Sequence, residues 1–468
     1  MTKKNFNQHI YVAVLLWVAA LSPSCKRLIE IPPNPPTSIA QAQQFADSAI
    51  TMTSMASIYS YPSNGVTGFT FNDGLLSVNT GLSSDELGTS LAGSDNNAFF
   101  NENLLSVNYI VNSLWTDPYT GLYPVNATIE GVAASPGLSA GLRQQLTGEL
   151  KVVRAMYYFH LVNLFGAVPL VTTSDYKQTA QSARTSVDSV YGQIIRDLTD
   201  AKAALPVTYP SAGRARPNKY TAQAFLSKVY LYRQRWQLAY DEANAVIGSG
   251  LYNLETDLNK VFLNGSAEAI WQLPAVDGVN GTREAITYVP NTSGTIPNYF
   301  LTLQLQAAFE GGDQRFQNWA SPVDVTINGS TQTYYYPYKY KQVRAAAPPE
   351  DFMIFRLADI YLIRAEAAAH LGKTADALDD LDLVRARAGL GASTASAQDD
   401  VINAILHERQ TELFTEWGNR WFDLKRTGTV DAVMAPLRPG WQPTDALYPV
   451  PQGQLNVDGS LKQNPGYQ

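Results

Sequence analysis

The chain has 468 residues, 45% of them hydrophobic and 16% charged, with a formal net charge of −7 and a single cysteine. The acidic balance argues against nucleic acid or an anionic lipid surface as a partner, and one cysteine excludes an intramolecular disulfide. Its length allows two or three ordinary domains, or one continuous helical-repeat body.

Lys3 and Lys4, the apolar run Ile10 to Leu21, and then Ser22-Pro23-Ser24-Cys25 read as a secretory signal over residues 1–24, too short to span a membrane. Cys25 stands where a bacterial lipoprotein is cleaved and acylated, which makes it the expected lipidation site. The alternative is an exported soluble protein with a free thiol. Residues 25–37 have the composition of a semi-rigid Pro-rich spacer, and residues 38–468 are expected to form one domain. Loss of residues 1–24 leaves 32 basic against 41 acidic residues, a balance of −9.

Ser38 to Tyr59 is expected as a first helix. From about 60 to 105 the chain is rich in Gly, Ser and Asn without sustained period, and reads as ordered loops. Helices resume near Ser106; a long one, Leu142 to Phe165, ends at Gly166, and Asp188 to Leu205 is stopped by Pro206. Two later stretches carry one design. Tyr220 to Ile247 and Phe355 to Gly389 each hold small residues and helical apolar spacing around a short break, and they align 138 residues apart, Ala239 on Ala377 and Ala243 on Leu381. Helix-turn-helix units of about 34 residues are the pattern of tetratricopeptide repeats, which bury their apolar faces only by stacking. The expected fold is therefore mostly α, a tetratricopeptide-like scaffold of about four helix pairs. An irregular region with a short β-hairpin packs on it.

The insert 251–349 between the two copies differs in composition. Val323 to Ile327, Asn328-Gly329 and Thr331 to Tyr340 predict a hairpin with a tight turn, with Tyr334, Tyr336, Tyr338 and Tyr340 on one face. Asp399 to Trp417 is expected as a helix, and the tail from Pro436 as irregular.

The final repeat and its flanks hold Arg356, Asp359, Tyr361 and Glu366; the run Val384 to Gly389; Glu408-Arg409, Glu412-Leu413 and Glu416; and Arg420, Asp423-Leu424 and Arg426. This pattern resembles the C-terminal signature of the SusD/RagB family. Pro449-Val450-Pro451 and Gln463 to Tyr467 follow. Gly148-Glu149, Arg154-Ala155, Tyr157 to Phe159, Gly166 to Leu170, Ser84-Asp85-Glu86, Glu268 to Trp271 and Gly312-Asp313-x-Arg315 extend it over the mature chain. The resemblance implies a surface-exposed outer-membrane lipoprotein that captures oligosaccharide, or in some branches peptide, without catalysis. It also implies a SusC-like TonB-dependent barrel as partner.

The residues give no competing enzyme. Glu366, Arg385, Glu412, Arg420 and Asp423 are of catalytic types but lie at helical spacings, where ion pairs fix helix register, and Glu149 and Arg154 read the same way. His160, His370 and His407 are isolated on helices, which argues against a metal site, and no phosphate-cradling or dinucleotide motif implies a cofactor. Paired carboxylates for glycoside hydrolysis remain open, because their separation is spatial. Asp95-Asn96-Asn97 reads as a turn in preference to a calcium loop.

Sugars are held by ring faces on aromatic side chains with polar groups around the rim. Tyr157, Tyr230 and Trp236 are discounted as repeat core. The family implies a site among loops of the non-repeat half. There the candidates are Asn96, Asn97, Phe99 and Phe100 on one side and Arg283, Tyr288, Tyr299, Tyr334 and Tyr336 on the other, with Phe99, Phe100, Tyr288 and Tyr334 the expected platforms.

Overall fold

The computed structural model describes residues 41–60, 74–275, 281–344 and 349–467. The signal segment, Cys25, the spacer and Ser38 lie outside the described residues.

The chain first lays down α1 (Ser48–Ser60), α2 (Leu76–Ser83) and α3 (Asp95–Phe100), then the long α4 (Tyr109–Ala134) and α5 (Ala140–Phe165), and α6 (Val187–Ala204). The first repeat copy is α7 (Lys219–Tyr232) and α8 (Trp236–Ile247), and α9 (Arg283–Tyr288) lies in the insert. The second copy is α10 (Leu357–His370) and α11 (Thr374–Arg387), after which α12 (Gln398–Glu412), α13 (Asn419–Arg426) and α14 (Gln452–Val457) follow. Four pairs result: α1 on α4, α5 on α6, α7 on α8 and α10 on α11, with α4–α5, α6–α7 and α8–α10 contacts joining them and α12 closing the stack. The structure is thus mostly helical and tetratricopeptide-like.

The sequence repeat is also a conformational one. Gln234 and Gly372 both take positive φ, 53° and 73°, at the break between paired helices. The next residues, Arg235 and Lys373, share φ/ψ near −90°/65° and donate their N–H to the carbonyls of Tyr230 (2.8 Å) and Ala368 (2.9 Å). Small Ala239 and Ala377 are fully buried where the helices approach. Trp236 of the first copy stacks on His370 of the second at 3.8 Å.

α5 is the central rod. Ser139 caps its start by accepting from the N–H of Leu142, Gly166 at φ 73° ends it, and from Leu146 onward nearly every side chain is buried. Strands are short and antiparallel: β1 (Leu87–Thr89), β2 (Ala269–Pro274), β3 (Tyr299–Leu301), β4 (Ala320–Ile327), β5 (Ser330–Pro337) and β6 (Asp351–Arg356), paired β1–β3, β2–β6 and β4–β5. The hairpin turns at Asn328 and Gly329 with φ 53° and 81°, as the Asn-Gly pair predicts.

Several expectations change: the first helix is interrupted at 45–47, and the tail from Pro436, expected as irregular, holds α14. The stretch read as loops holds α2, whose residues are all buried. Its period was masked by Asn79 and Thr80, which hide their polar atoms by donating to the carbonyls of Leu75 and Leu76, each at 2.7 Å. The tyrosine run does not share one face to its end, because β5 stops at Pro337 and Tyr340 turns into the core, its hydroxyl accepting from the N–H of Met353. The helix from Gln398 ends at Glu412, short of Trp417, with Thr415 and Trp417 at positive φ beyond it.

Candidate functional site

The charged signature residues lie inside the protein and pair with one another. Arg356 bonds Glu416 at 2.7 Å and also reaches Glu412, which takes Arg315 at 3.0 Å and Arg387 as well. Lys339 adds a 2.5 Å contact to Glu416, and Arg315 adds Asp313 at 2.8 Å and Glu408 at 2.5 Å. Beside this cluster, Arg409 bridges Asp423 (2.7 Å) and Asp359 (3.0 Å), and Arg426 bridges Asp423 and Glu366. Arg385 pairs with Glu310, Arg420 with Asp85, Arg216 with Glu149 and Arg154 with Asp197. The pairs of Arg315, Lys339 and Glu310 tie the C-terminal helices to the insert, and the others join helices and connectors of the body to one another. Burial works to raise the carboxyl of Glu412, but Arg387, Arg356 and Arg315 overcome it and hold it well below the usual range; Asp423 is likewise held down to about 2 by Arg409 and Arg426 against its burial. These are structural ion clusters.

Lys425 has no such partner. Its ammonium donates to the carbonyl of Asn163 and lies against the Trp421 and Phe422 rings, and burial pushes its pKa down to about 7. Because the folded value lies below the unfolded one, the unfolded chain binds more protons between about pH 7 and 10.5, so this group costs most below pH 7 and nothing above 10.5. Lys425→Met is therefore expected to raise the urea midpoint at pH 6.5, with the gain shrinking steadily toward pH 10. A gain that is flat with pH would show that the ammonium is not the cause.

The candidate face is built outward from Ser84-Asp85-Glu86 at the end of α2. Arg420 clamps Asp85 at 2.7 Å, Glu86 accepts from the N–H of Thr415, and Thr302 returns hydrogen bonds to the carbonyls of both. This anchors β1 against β3, and in turn α3 packs on β1 and β5 on β3, giving one continuous layer α3–β1–β3–β5.

Strand alternation decides which aromatics that layer presents. Tyr299 and Leu301 point inward and are buried, while Phe300 between them faces out. Its ring covers Gly88, where a Cβ would meet it at 2.5 Å, and it meets Tyr334 edge to face at 5.1 Å. Tyr336 shares the outward face of Tyr334, half-buried, and Tyr335 turns the other way onto Phe316 at 4.8 Å. Phe100 is half-buried at the other end of the layer, with the Arg438 guanidinium 3.8 Å above its ring. Next to it, burial, helped by Asp445, pushes the carboxyl of Glu102 up to about 9 against the pull of Arg438.

Several expected site residues are in the core instead. Phe99 is fully buried against Tyr448, and Tyr288 and Tyr299 pack together below the layer at 6.3 Å. Each lies on the inward side of a short helix or strand, so none can offer a ring face to a ligand. Asn96 also turns in, donating to Asn79 at 3.0 Å. Asn97, half-buried, continues the first turn of α3, which Ser94 caps, so Asp95 to Asn97 form a helix start. Arg283 is half-buried at the start of α9, its Cβ 4.0 Å from a Cβ built at Gly74. Of the original candidates, the face brings together Asn97, Phe100, Tyr334 and Tyr336. It adds Phe300, which period-2 spacing in Tyr299-Phe300-Leu301 would have found, and Arg438 and Glu102, for which the sequence held no signal. Among the described residues no cluster of metal-ligating side chains occurs.

The architecture is a tetratricopeptide-like helical body carrying an aromatic face on a separate loop-and-strand layer. The chain belongs to the SusD/RagB family: residues 280–467 match the model described as "SusD family" and residues 79–231 the one described as "Starch-binding associating with outer membrane". A SusD-like protein of Formosa agariphila is 27% identical over 422 residues, covering 77% of this chain and 81% of the relative. Among solved structures, a SusD superfamily protein of Bacteroides vulgatus superposes with a TM-score of 0.78 at 22% identity, covering 90% of this chain and 99% of its own. A laminarin-binding SusD-like protein does so with a TM-score of 0.75 at 24% identity, covering 90% and 100%. The family is associated with the outer membrane, and no described helix is long and apolar enough to cross one.

Proposed function

We propose that this protein binds a glycan at the cell surface and hands it, without cleaving it, to a SusC-like TonB-dependent transporter in the outer membrane. The observation that carries the reading is the outward Phe300–Tyr334 pair on the α3–β1–β3–β5 layer, an angled apolar platform open to solvent and suited to the faces of sugar rings. The laminarin-binding neighbour and the starch-binding family description support a carbohydrate ligand over a peptide. Non-catalytic binding is supported by the signature carboxylates, which are consumed in ion pairs. The test is a binding screen of the protein against a polysaccharide panel and a peptide library, with reducing-end release measured on the same samples. Binding of one glycan class without release supports the reading; turnover lost on substitution of a carboxylate overturns it.

Anchoring is through lipid on Cys25. Cys25→Ala is expected to move the protein from the detergent phase to the aqueous phase, and unchanged partitioning would refute the anchor.

A further inference from the structure

A second groove lies on the repeat side of the molecule, lined by no element of the aromatic face. It has a volume of about 390 Å³. Its floor is one face of α4, where Thr116, Tyr119 and Thr120 fall at helical spacing, and its walls are the segment Pro169 to Ser182 and the tail from Gln454 to Leu461. Three stretches distant in sequence thus build it, and it is of the size of a small-molecule site.

Trp115 also lines this groove. The residue is only 2% exposed, and its indole N–H makes no hydrogen bond to any described residue. The N–H is not among the donors sealed from solvent, so it is available to a group seated in the groove that the residue lines. Around it stand the half-buried ring of Tyr119, held by its hydroxyl on the Pro169 carbonyl at 2.8 Å, the Gln454 amide, the Ser182 hydroxyl and Asp458. Asp458 spends one oxygen on Ser460 and leaves the other for a ligand. An aromatic wall with both donors and acceptors, and with no Lys, Arg or His in the lining, matches a neutral polyhydroxyl ligand and disfavours an acidic or sulfated one.

We propose that this groove is a second saccharide subsite, taking a neutral sugar unit of a chain whose other part lies on the Phe300–Tyr334 face. The proposal rests on the glycan reading above. Two sites on one chain raise affinity for long ligands through effective concentration, without new contacts for short ones.

The test uses the full-length lipoprotein in detergent and whichever neutral polysaccharide of a panel of laminarin, starch, xylan and galactomannan retards it in affinity gels. Trp115→Phe deletes the unpaired donor, and Thr120→Arg blocks the groove from an exposed position should the first variant fold poorly. Expected is a loss of about fivefold or more in affinity for the polysaccharide, with affinity for its short oligosaccharides kept within about twofold, the signature of lost bivalency. Wild-type affinity of Thr120→Arg for both ligands overturns the second site and leaves the glycan reading standing. Loss of co-purification with a barrel partner at unchanged glycan affinity overturns it in favour of a protein contact. If no panel member binds the wild type, the glycan reading itself fails, and the subsite with it.

Discussion

Arg356→Met is expected to destabilise the protein by on the order of 3–5 kcal/mol, the scale on which one partner of a buried ion cluster is removed. Arg356 is 1% exposed and is the cation shared by Glu412 and Glu416, with a further hydrogen bond to the Glu412 carbonyl at 2.8 Å. Its loss leaves Lys339 alone to neutralise Glu416, and burial pushes the Lys339 ammonium down to about 8, so that neutralisation is itself incomplete in mild alkali. In the wild type, burial acts to raise Glu416 but Arg356 and Lys339 hold it below the ordinary carboxylate range. That contribution is present above the unfolded pKa and is lost as pH falls through the folded one. The deficit of Arg356→Met should accordingly be largest at pH 7.5 and shrink by pH 4, read from urea midpoints at both. Adding Glu416→Gln removes the stranded charge and should recover part of the loss. A deficit independent of pH, with no recovery in the double variant, would mean that Arg356 acts through packing alone.

Phe300→Ala with Tyr334→Ala is expected to weaken glycan binding by about thirtyfold or more, since each stacking contact contributes on the order of 1 kcal/mol and the two rings brace one another. Either single change should cost about tenfold or less. Both rings are partly exposed, so thermal stability should change little. Phe99→Ala is the contrasting control. Buried against Tyr448, Phe99 should lower stability on the scale of a core deletion, about 3–5 kcal/mol, while leaving affinity nearly unchanged. Unchanged affinity in the double variant would remove this pair from the site and move attention to Phe100 and Arg438.

These controls differ because neighbouring aromatics in one short segment have opposite fates. Phe99 and Phe100 are adjacent, as are Tyr299 and Phe300, yet one of each pair is core and the other faces out. Composition marked both segments as ligand-side but assigned Phe99, Tyr288 and Tyr299 to the wrong side of the layer. Elements of three to six residues are too short for their period to be read with confidence against loop texture, and their orientation is set by what they pack upon.

Long periodic segments were legible for the converse reason. Tyr220 to Ile247 and Phe355 to Gly389 carry helical spacing, small residues at the close approach and a break in the same register, so local signals agree with one another and with the stack. The reading of Glu366, Arg385, Glu412, Arg420 and Asp423 as structural charges also followed from spacing, since helical positions against packed neighbours leave such groups little or no solvent and hence favour partners. Sequence therefore determined the repeat body, the family signature and the inward role of its charges. Which rings face solvent, the pairing of Arg438 with Phe100 from opposite ends of the chain, and the groove beside Trp115 were decided by tertiary structure. Each depends on bringing distant segments to one surface, and spacing along the chain carries no information about that.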